Sequence, residues 1–316
     1  MLNQLQQIFP NWLVIKPHKL EKIGGLWIPQ SANLDFENFT GTIVKMCTEL
    51  RYEEGNANSM PWDVDLELKH GDTVWYNPLC NHEARPRSET NRFGKGQGFE
   101  ENGQFYMFVH YQDIFIAKRG DEIICPNGYI LGEPVDDTKK YSIILINQPE
   151  NFKNRCIIRH IGSPVKEYMF GKETAVAPDD KTIQKGYEVL LMPFGGISLD
   201  ENRKEIDGGK SFYRFRRRDI LAKIVDGVLL PVSDRIFVKE DSGEKVTKAG
   251  IILLPDAELR KDGRWGTVEC FGGLCRSTTA GQRIYYNHSD SIEIEFNGVK
   301  LKAIRERDVL LDKETL

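Results

Sequence analysis

DRIFVK at residues 234–239, AGIILLP at 249–255, WGTVECFGG at 265–273, TAGQRIYYN at 279–287 and SIEIEFNGVKLKAIRERDVLL at 291–311 make up the stretch whose reading decides the fold. Apolar and polar residues alternate at period two through these segments, and glycine interrupts them at short intervals. Successive side chains of a strand point to opposite faces, so this period marks half-buried strands. Short strands broken by glycine predict a small all-β domain.

Working outward, the same order of segments recurs twice upstream. The first copy runs WLVIK (12–16), GGLWIP (24–29), GTIVKMC (41–47), LKHGDTVWYN (68–77) and QFYMFVHYQDIFIA (104–117). The middle copy runs GYILGEPV (128–135), SIILIN (142–147), CIIRHIG (156–162), IQKGYEVLLMP (183–193) and SFYRFRRRDILAKI (211–224). Repetition at this spacing predicts three tandem domains, 1–120, 121–225 and 226–316, jointed at glycine-containing polar sites near Gly120 and Asp226. The one helix candidate is residues 2–9, with Leu2, Leu5 and Ile8 at helical spacing, short enough to be marginal alone.

The landmarks of the last copy are Asp234, Arg235 and Lys239; Gly250, Ile251, Ile252 and Leu253; Gly266 and Val268; Gly281, Ile284 and Tyr286; and Arg307, Asp308 and Leu310. In this order they resemble the GroES-type co-chaperonins. The first copy carries Lys69, Gly71, Asp72, Val74 and Tyr76 in the family's pattern, and the middle copy keeps Gly186, Val189 and Arg218-Asp219-Ile220-Leu221. Gln282 and Tyr187 replace the family's aspartate, and the connection after Gly273 is too short for the family's roof hairpin. The resemblance implies an all-β chain of three tandem GroES-like small β-barrels.

It also implies a partner, a GroEL-like chaperonin ring whose folding chamber is capped, and a homo-oligomeric ring. In the family a polar loop carrying a hydrophobic tripeptide is mobile when free and orders as it docks. Residues 240–248 are polar and charged, with too little apolar surface to order alone, and lead into Gly250, Ile251, Ile252 and Leu253. The first copy offers Gly25, Leu26, Trp27 and Ile28. Residues 250–253 can equally be a core strand, as any short apolar run can. In the middle copy Ile143, Ile144 and Leu145 lack a preceding glycine, and an interior strand is expected there. A second class of function stays open, a structural or assembly protein such as a virion ring or capsid-associated component built on the same barrels. The expected source is a bacterium or a virus infecting one.

Composition limits the alternatives. Hydrophobic residues make up 40% and charged residues 28%, with net charge -4, which gives no bulk attraction to nucleic acid or a membrane surface. No apolar run reaches a membrane span, and residues 1–12 lack the positive flank of a signal peptide. Six scattered cysteines, Cys47, Cys80, Cys125, Cys156, Cys270 and Cys275, sit mostly in apolar strand patterns, as buried thiols of a cytoplasmic protein do. Six histidines, His18, His70, His82, His110, His160 and His288, fall in no metal-ligand spacing. GKGQG at 94–98 lacks the Lys-Ser/Thr of a phosphate loop. Barrels of this type also occur in zinc alcohol dehydrogenases, but no G-x-G-x-x-G unit follows any repeat. No enzyme activity, cofactor or metal is therefore expected. The insertion after Asn77, with Arg85, Arg87, Arg92 and Lys95, reads as a solvated surface loop or an arm for an acidic partner. RFRRRD at 214–219 reads as basic contact surface or as a charged sheet edge.

Overall fold

In the computed structural model of the chain the described residues are 8–18, 22–23, 26–27, 39–52, 59–88, 92, 94–135, 143–145, 154–167, 182–193, 195, 197–199, 206, 212–241, 245–246, 252–253 and 263–312. Most of the helix candidate at 2–9 lies outside them. The first strands are β1 (Trp12–Pro17), β2 (Lys22–Ile23), β3 (Leu26–Trp27), β4 (Thr40–Met46), β5 (Trp62–Asp63) and β6 (Thr73–Tyr76). A short helix, α1 (Leu79–Ala84), precedes β7 (Gly98–Glu101), β8 (Gln104–His110), β9 (Ile114–Arg119) and β10 (Glu122–Ile124). Next come β11 (Tyr129–Pro134), β12 (Ile143–Leu145), β13 (Arg155–Ile161), β14 (Lys166–Glu167), β15 (Glu188–Leu191), β16 (Ile197–Leu199), β17 (Phe212–Arg216), β18 (Ile220–Val225) and β19 (Val228–Pro231). The last are β20 (Arg235–Glu240), β21 (Lys245–Val246), β22 (Ile252–Leu253), β23 (Gly263–Phe271), β24 (Arg283–Asn287), β25 (Ile292–Phe296), β26 (Val299–Arg305) and β27 (Val309–Asp312).

The chain divides into two compact units. The first is Met1–Gly132 with Arg159–Asp179 and Ser198–Arg214; the second is Glu133–Ile158 with Asp180–Ile197 and Phe215–Leu316. Unit one holds a sheet of order β10-β9-β6-β4-β1-β8-β7 and the run β16-β17-β11. Unit two holds the run β13-β15-β18-β19 and a sheet of order β12-β25-β26-β20-β23-β24-β27. These orders repeat one plan. β1 lies between β4 and β8, and β20 between β23 and β26, antiparallel in every case. β6 joins β4 to β9 as β24 joins β23 to β27, and β15 joins β13 to β18.

The sequence landmarks explain why the plan recurs. Gly71, Gly186 and Gly281 have φ of 87, 90 and 80°, a region a side chain rarely enters. Each donates its N–H to the carbonyl of Ile43, Ile158 or Val268, at 2.9, 2.8 and 2.8 Å. The same three residues donate back to the carbonyls of Asp72, Tyr187 and Gln282 at 3.0, 2.9 and 2.9 Å. Asp72 further accepts the Lys69 N–H at 2.7 Å, and Gln282 Oε1 does the same for the Thr279 N–H at 2.9 Å. The amide thus keeps the cap of the missing aspartate, while the ion pair from Arg119 to Asp72, 2.8 Å, belongs to the first repeat.

Three 3-10 turns, Tyr111–Asp113, Arg217–Asp219 and Glu306–Asp308, close the corner before β9, β18 and β27. Asp219 and Asp308 accept the N–H of Arg216 and Arg305, at 2.8 and 3.3 Å. The carboxylate fills a donor that the turn leaves open. Gly41 and Gly266 occupy one equivalent position: a Cβ there would stand 2.3 Å from Ile15 Cγ2 and 2.4 Å from Val238 Cγ1. In unit one Leu13, Ile15, Ile43, Val74 and Tyr76 are buried in one core; in unit two Ile236, Val238, Val268, Ile284 and Tyr286 form the counterpart.

Two features depart from the sequence reading. Helix α1 was not anticipated: Cys80 and Ala84 bury one side of it, and Tyr76 donates its hydroxyl to Asn81 Oδ1 at 3.0 Å. The charged-edge reading of RFRRRD is corrected, since β17 has neighbours on both sides. Arg214 lies 3.5 Å from the Phe115 ring centroid, and Arg216 and Arg217 are buried.

Candidate partner-docking loops

In each repeat the candidate loop leaves the sheet at the same backbone hydrogen bond. His18 donates its N–H to Thr40 O at 2.8 Å, Val135 to Arg155 O at 2.9 Å, and Asp241 to Trp265 O at 3.0 Å. Side chains reinforce two of these roots. The His18 ring nitrogens lie 3.1 Å from Thr40 Oγ1 and 2.8 Å from Thr42 Oγ1. Asp241 pairs with Arg283 at 2.6 Å, and neighbouring Glu240 accepts the Tyr286 hydroxyl at 3.1 Å. Burial first, then the Glu240 carboxylate, pushes the Tyr286 phenol well above the usual range, so it stays a donor at neutral pH.

Beyond the roots the three loops diverge. In the first repeat β2 pairs with β3, Lys22 opposite Trp27 and Ile23 opposite Leu26. In the third, β21 pairs with β22, Lys245 opposite Leu253 and Val246 opposite Ile252. Both are two-stranded hairpins separate from the seven-stranded sheets. Of the candidate residues, Leu26, Trp27, Ile252 and Leu253 therefore stand on hairpin strands; Gly25, Ile28, Gly250 and Ile251 lie outside the described residues. The middle loop goes elsewhere. Its Ile143, Ile144 and Leu145 form β12, antiparallel to β25 opposite Phe296, Glu295 and Ile294. It is a strand, as expected, but the outermost one of the sheet rather than an interior one.

The connections between the second and third strand of each repeat also differ. β5 and β14 pair within unit one, Asp63 opposite Lys166 and Trp62 opposite Glu167. Trp62 Nε1 donates to Asn127 Oδ1 at 3.1 Å. The short third connection is tied down by Glu306, which accepts the N–H of Arg276 and Ser277, both at 2.8 Å, and the Thr278 hydroxyl at 2.9 Å. Burial opposes ionisation of Glu306, but these hydrogen bonds outweigh it and hold its carboxyl below the usual range. Sequence reasoning missed Glu306, since a glutamate thirty residues from its partners carries no local signal.

The other candidates stay apart. Cys47, Cys80, Cys125 and Cys156 are buried and Cys270 and Cys275 half-buried, all as free thiols. Burial pushes Cys125 and Cys156 up to about 12, which keeps them protonated. Among the described residues no group of three or more His, Cys, Asp or Glu could hold a metal ion. Arg85, Arg87, Arg92 and Lys95 of the insertion are exposed, with Lys95 2.7 Å from Glu83. No helix among the described residues is long and apolar enough to cross a membrane.

Residues 228–311, from β19 through the greater part of β27, match the model of the family described as chaperonin 10 Kd subunit. The co-chaperonin GroES of Maricaulis maris is 32% identical over 88 residues, which cover 25% of this chain and 92% of that protein. The chain belongs to the chaperonin 10 family. Co-chaperonin GroES 1 of Rhodopirellula baltica is 34% identical over 91 residues, covering 26% of this chain and 88% of the relative. GroES of Cereibacter sphaeroides is 27% identical over 88 residues. The chaperonin 10 match opens with β19, whose ladder runs back to β18 of the preceding repeat, Ala222 opposite Pro231 through Val225 opposite Val228. The turn between them is Asp226 and Gly227, φ 51 and 80°. Gly120, φ 59°, opens the two-residue turn that joins β9 to β10.

Proposed function

We propose that this chain is a co-chaperonin of three fused repeats, 1–120, 121–225 and 226–316, that docks on a chaperonin ring through two hydrophobic hairpins and caps its chamber. The docking residues are Gly25, Leu26, Trp27 and Ile28 in the first repeat and Gly250, Ile251, Ile252 and Leu253 in the third. The observation that carries the reading is the pair of hairpins, β2–β3 and β21–β22, at equivalent roots in a chaperonin 10 chain and outside its main sheets. Short hairpins of this kind are marginal alone and gain order from a surface that covers them. The role is non-enzymatic: binding and release do the work. The middle loop, committed to β25, takes no part in docking.

Native mass spectrometry of the chain with a purified bacterial chaperonin and nucleotide tests this. The expected result is a nucleotide-dependent complex that Ile252→Ser weakens while the variant's circular dichroism and melting stay those of the parent. Absence of a complex sinks the reading, and an unfolded variant places Ile252 in the core instead.

A further inference from the structure

Arg235 opens β20, and its side chain shares a face with Phe237, two residues along. That face belongs to an apolar core of unit two, which Phe237 forms with Leu190, Leu221, Leu229 and Ala303. Arg235 is 4% exposed. Among the described residues its guanidinium has one hydrogen bond, from Nη2 to Met192 Sδ at 2.9 Å, and Met192 packs at the margin of the same core. A thioether is a weak acceptor. Among the described residues no carboxylate forms an ion pair with Arg235.

The neighbouring charges deepen the imbalance. Directly opposite Arg235 on β26 stands Arg305. Opposed residues of an antiparallel pair share a face with Cβ atoms about 4.5–5.5 Å apart, and like charges there repel. Arg305 Nη1 has Asp234 Oδ1 at 3.4 Å. Asp308 accepts the Arg305 N–H at 3.3 Å and stands 3.7 Å from Arg307 Nε. Three guanidinium groups, Arg235, Arg305 and Arg307, thus face two carboxylates, Asp234 and Asp308, and one positive charge is left over. Burial first, then the Arg305 charge, draws the Arg235 guanidinium down to about 10. The fold does not demand a cation at this place. In the first repeat the equivalent pair is Trp12 opposite His110, two rings 5.3 Å apart in edge contact.

We propose that Arg235 and Arg305 hold a phosphate group between them. A guanidinium fork matches phosphate oxygens in pairs. A tetrahedral dianion offers oxygens to two forks at once, where a planar carboxylate serves one. It cancels the excess charge, separates two opposed cations and gives Arg235 a stronger acceptor than sulfur. Low exposure keeps water from weakening the contact. The site lies at the opposite end of β20 from the root of the β21–β22 hairpin, so it stands apart from the docking role.

Isothermal titration calorimetry of the full chain with inorganic phosphate, in chloride buffer at constant ionic strength, tests this. The expected result is one phosphate per chain, with a dissociation constant of about 1 mM or lower. Arg235→Met fills the space with an apolar chain and removes a buried charge without orphaning a partner, so the fold is expected to tolerate it. The variant should bind phosphate about tenfold or more weakly. Phosphate should raise the melting temperature of the parent by mass action and that of Arg235→Met only by the general salt effect. Arg305→Gln should weaken binding by a similar factor, and it decides should Arg235→Met fail to fold. Phenyl phosphate in a parallel titration distinguishes the sources: binding of both compounds assigns a phosphoester group, binding of inorganic phosphate alone the free ion. The inference is overturned if the parent shows no saturable binding of phosphate, or if the deciding variant binds it as the parent does.

Discussion

Gly266 shows how a single missing side chain holds two strands together. A Cβ would meet Val238 Cγ1 at 2.4 Å and the Lys239 carbonyl at 2.8 Å, and the carbonyl cannot move aside without breaking the ladder. Gly266→Ala is therefore expected to cost about 1–3 kcal/mol, whereas Gly273→Ala, with nothing within 4 Å, should stay within about 0.5 kcal/mol of the parent. Denaturant unfolding of the two variants side by side checks this; equal stability would mean that the strands part freely. Glu306 makes the matching case for a charge. Its carboxyl is depressed in the fold, so its contribution is present above the unfolded value of about 4.3 and is lost as pH falls through the folded value. Glu306→Gln should lower stability near neutral pH by about 1 kcal/mol, discounted for partial exposure, and the gap to the parent should close below about pH 4. Melting temperatures from pH 3 to pH 7 measure it; a constant gap would exclude the ionic origin. The glycine landmarks and the turn aspartates were legible in the sequence because each acts on backbone within a few residues of itself. Glu306 was not, because its partners are brought to it by the sheet.

At the scale of elements, strand identity was legible and strand destination was not. Period two set the strands of all three repeats, and the order of landmarks set their topology, since each glycine and each turn aspartate marks one fixed corner. Helix α1 escaped because it is six residues long and its N-cap, Pro78, offers no side-chain hydrogen bond. The loops escaped for another reason. Ile143-Ile144-Leu145 and Ile251-Ile252-Leu253 are the same tripeptide, yet the first lies on a sheet edge while Ile252 and Leu253 of the second pair in a hairpin. The choice belongs to the edge that receives them, which local sequence does not encode. Ile144→Pro should therefore detach β12 and leave the rest of the sheet: it removes the N–H that faces Glu295. Hydrogen exchange reads this directly, with the Glu295 amide expected to exchange at least about tenfold faster while amides of β20 and β23 keep their protection. Protection lost throughout would make β12 part of the cooperative core, and an unchanged Glu295 amide would show that the pairing does not persist in solution.

At the scale of the whole chain, fusion changes what a weak loop can do. β9 turns into β10 and β18 into β19, so each repeat hands its neighbour a leading strand already paired. Under the proposed function, one chain of 36.3 kDa carries two docking hairpins on a single covalent tether, the third loop being spent on β25. Once the first hairpin binds, the second acts at an effective concentration set by the chain and not by bulk protein, and avidity exceeds either affinity by about 10²–10⁴. Loss of one hairpin then costs more than its own contacts, because it abolishes that gain as well. Under the proposed function, Trp27→Ser and Ile252→Ser should each weaken binding to immobilised chaperonin about 10²-fold or more, far beyond the roughly tenfold of one exposed apolar contact. The double variant should bind below detection. Surface plasmon resonance at low chaperonin density measures all three. Single losses of tenfold or less that simply multiply in the double variant would mean that the hairpins bind independently, and the tethered mode of docking would fail even if each hairpin still docks.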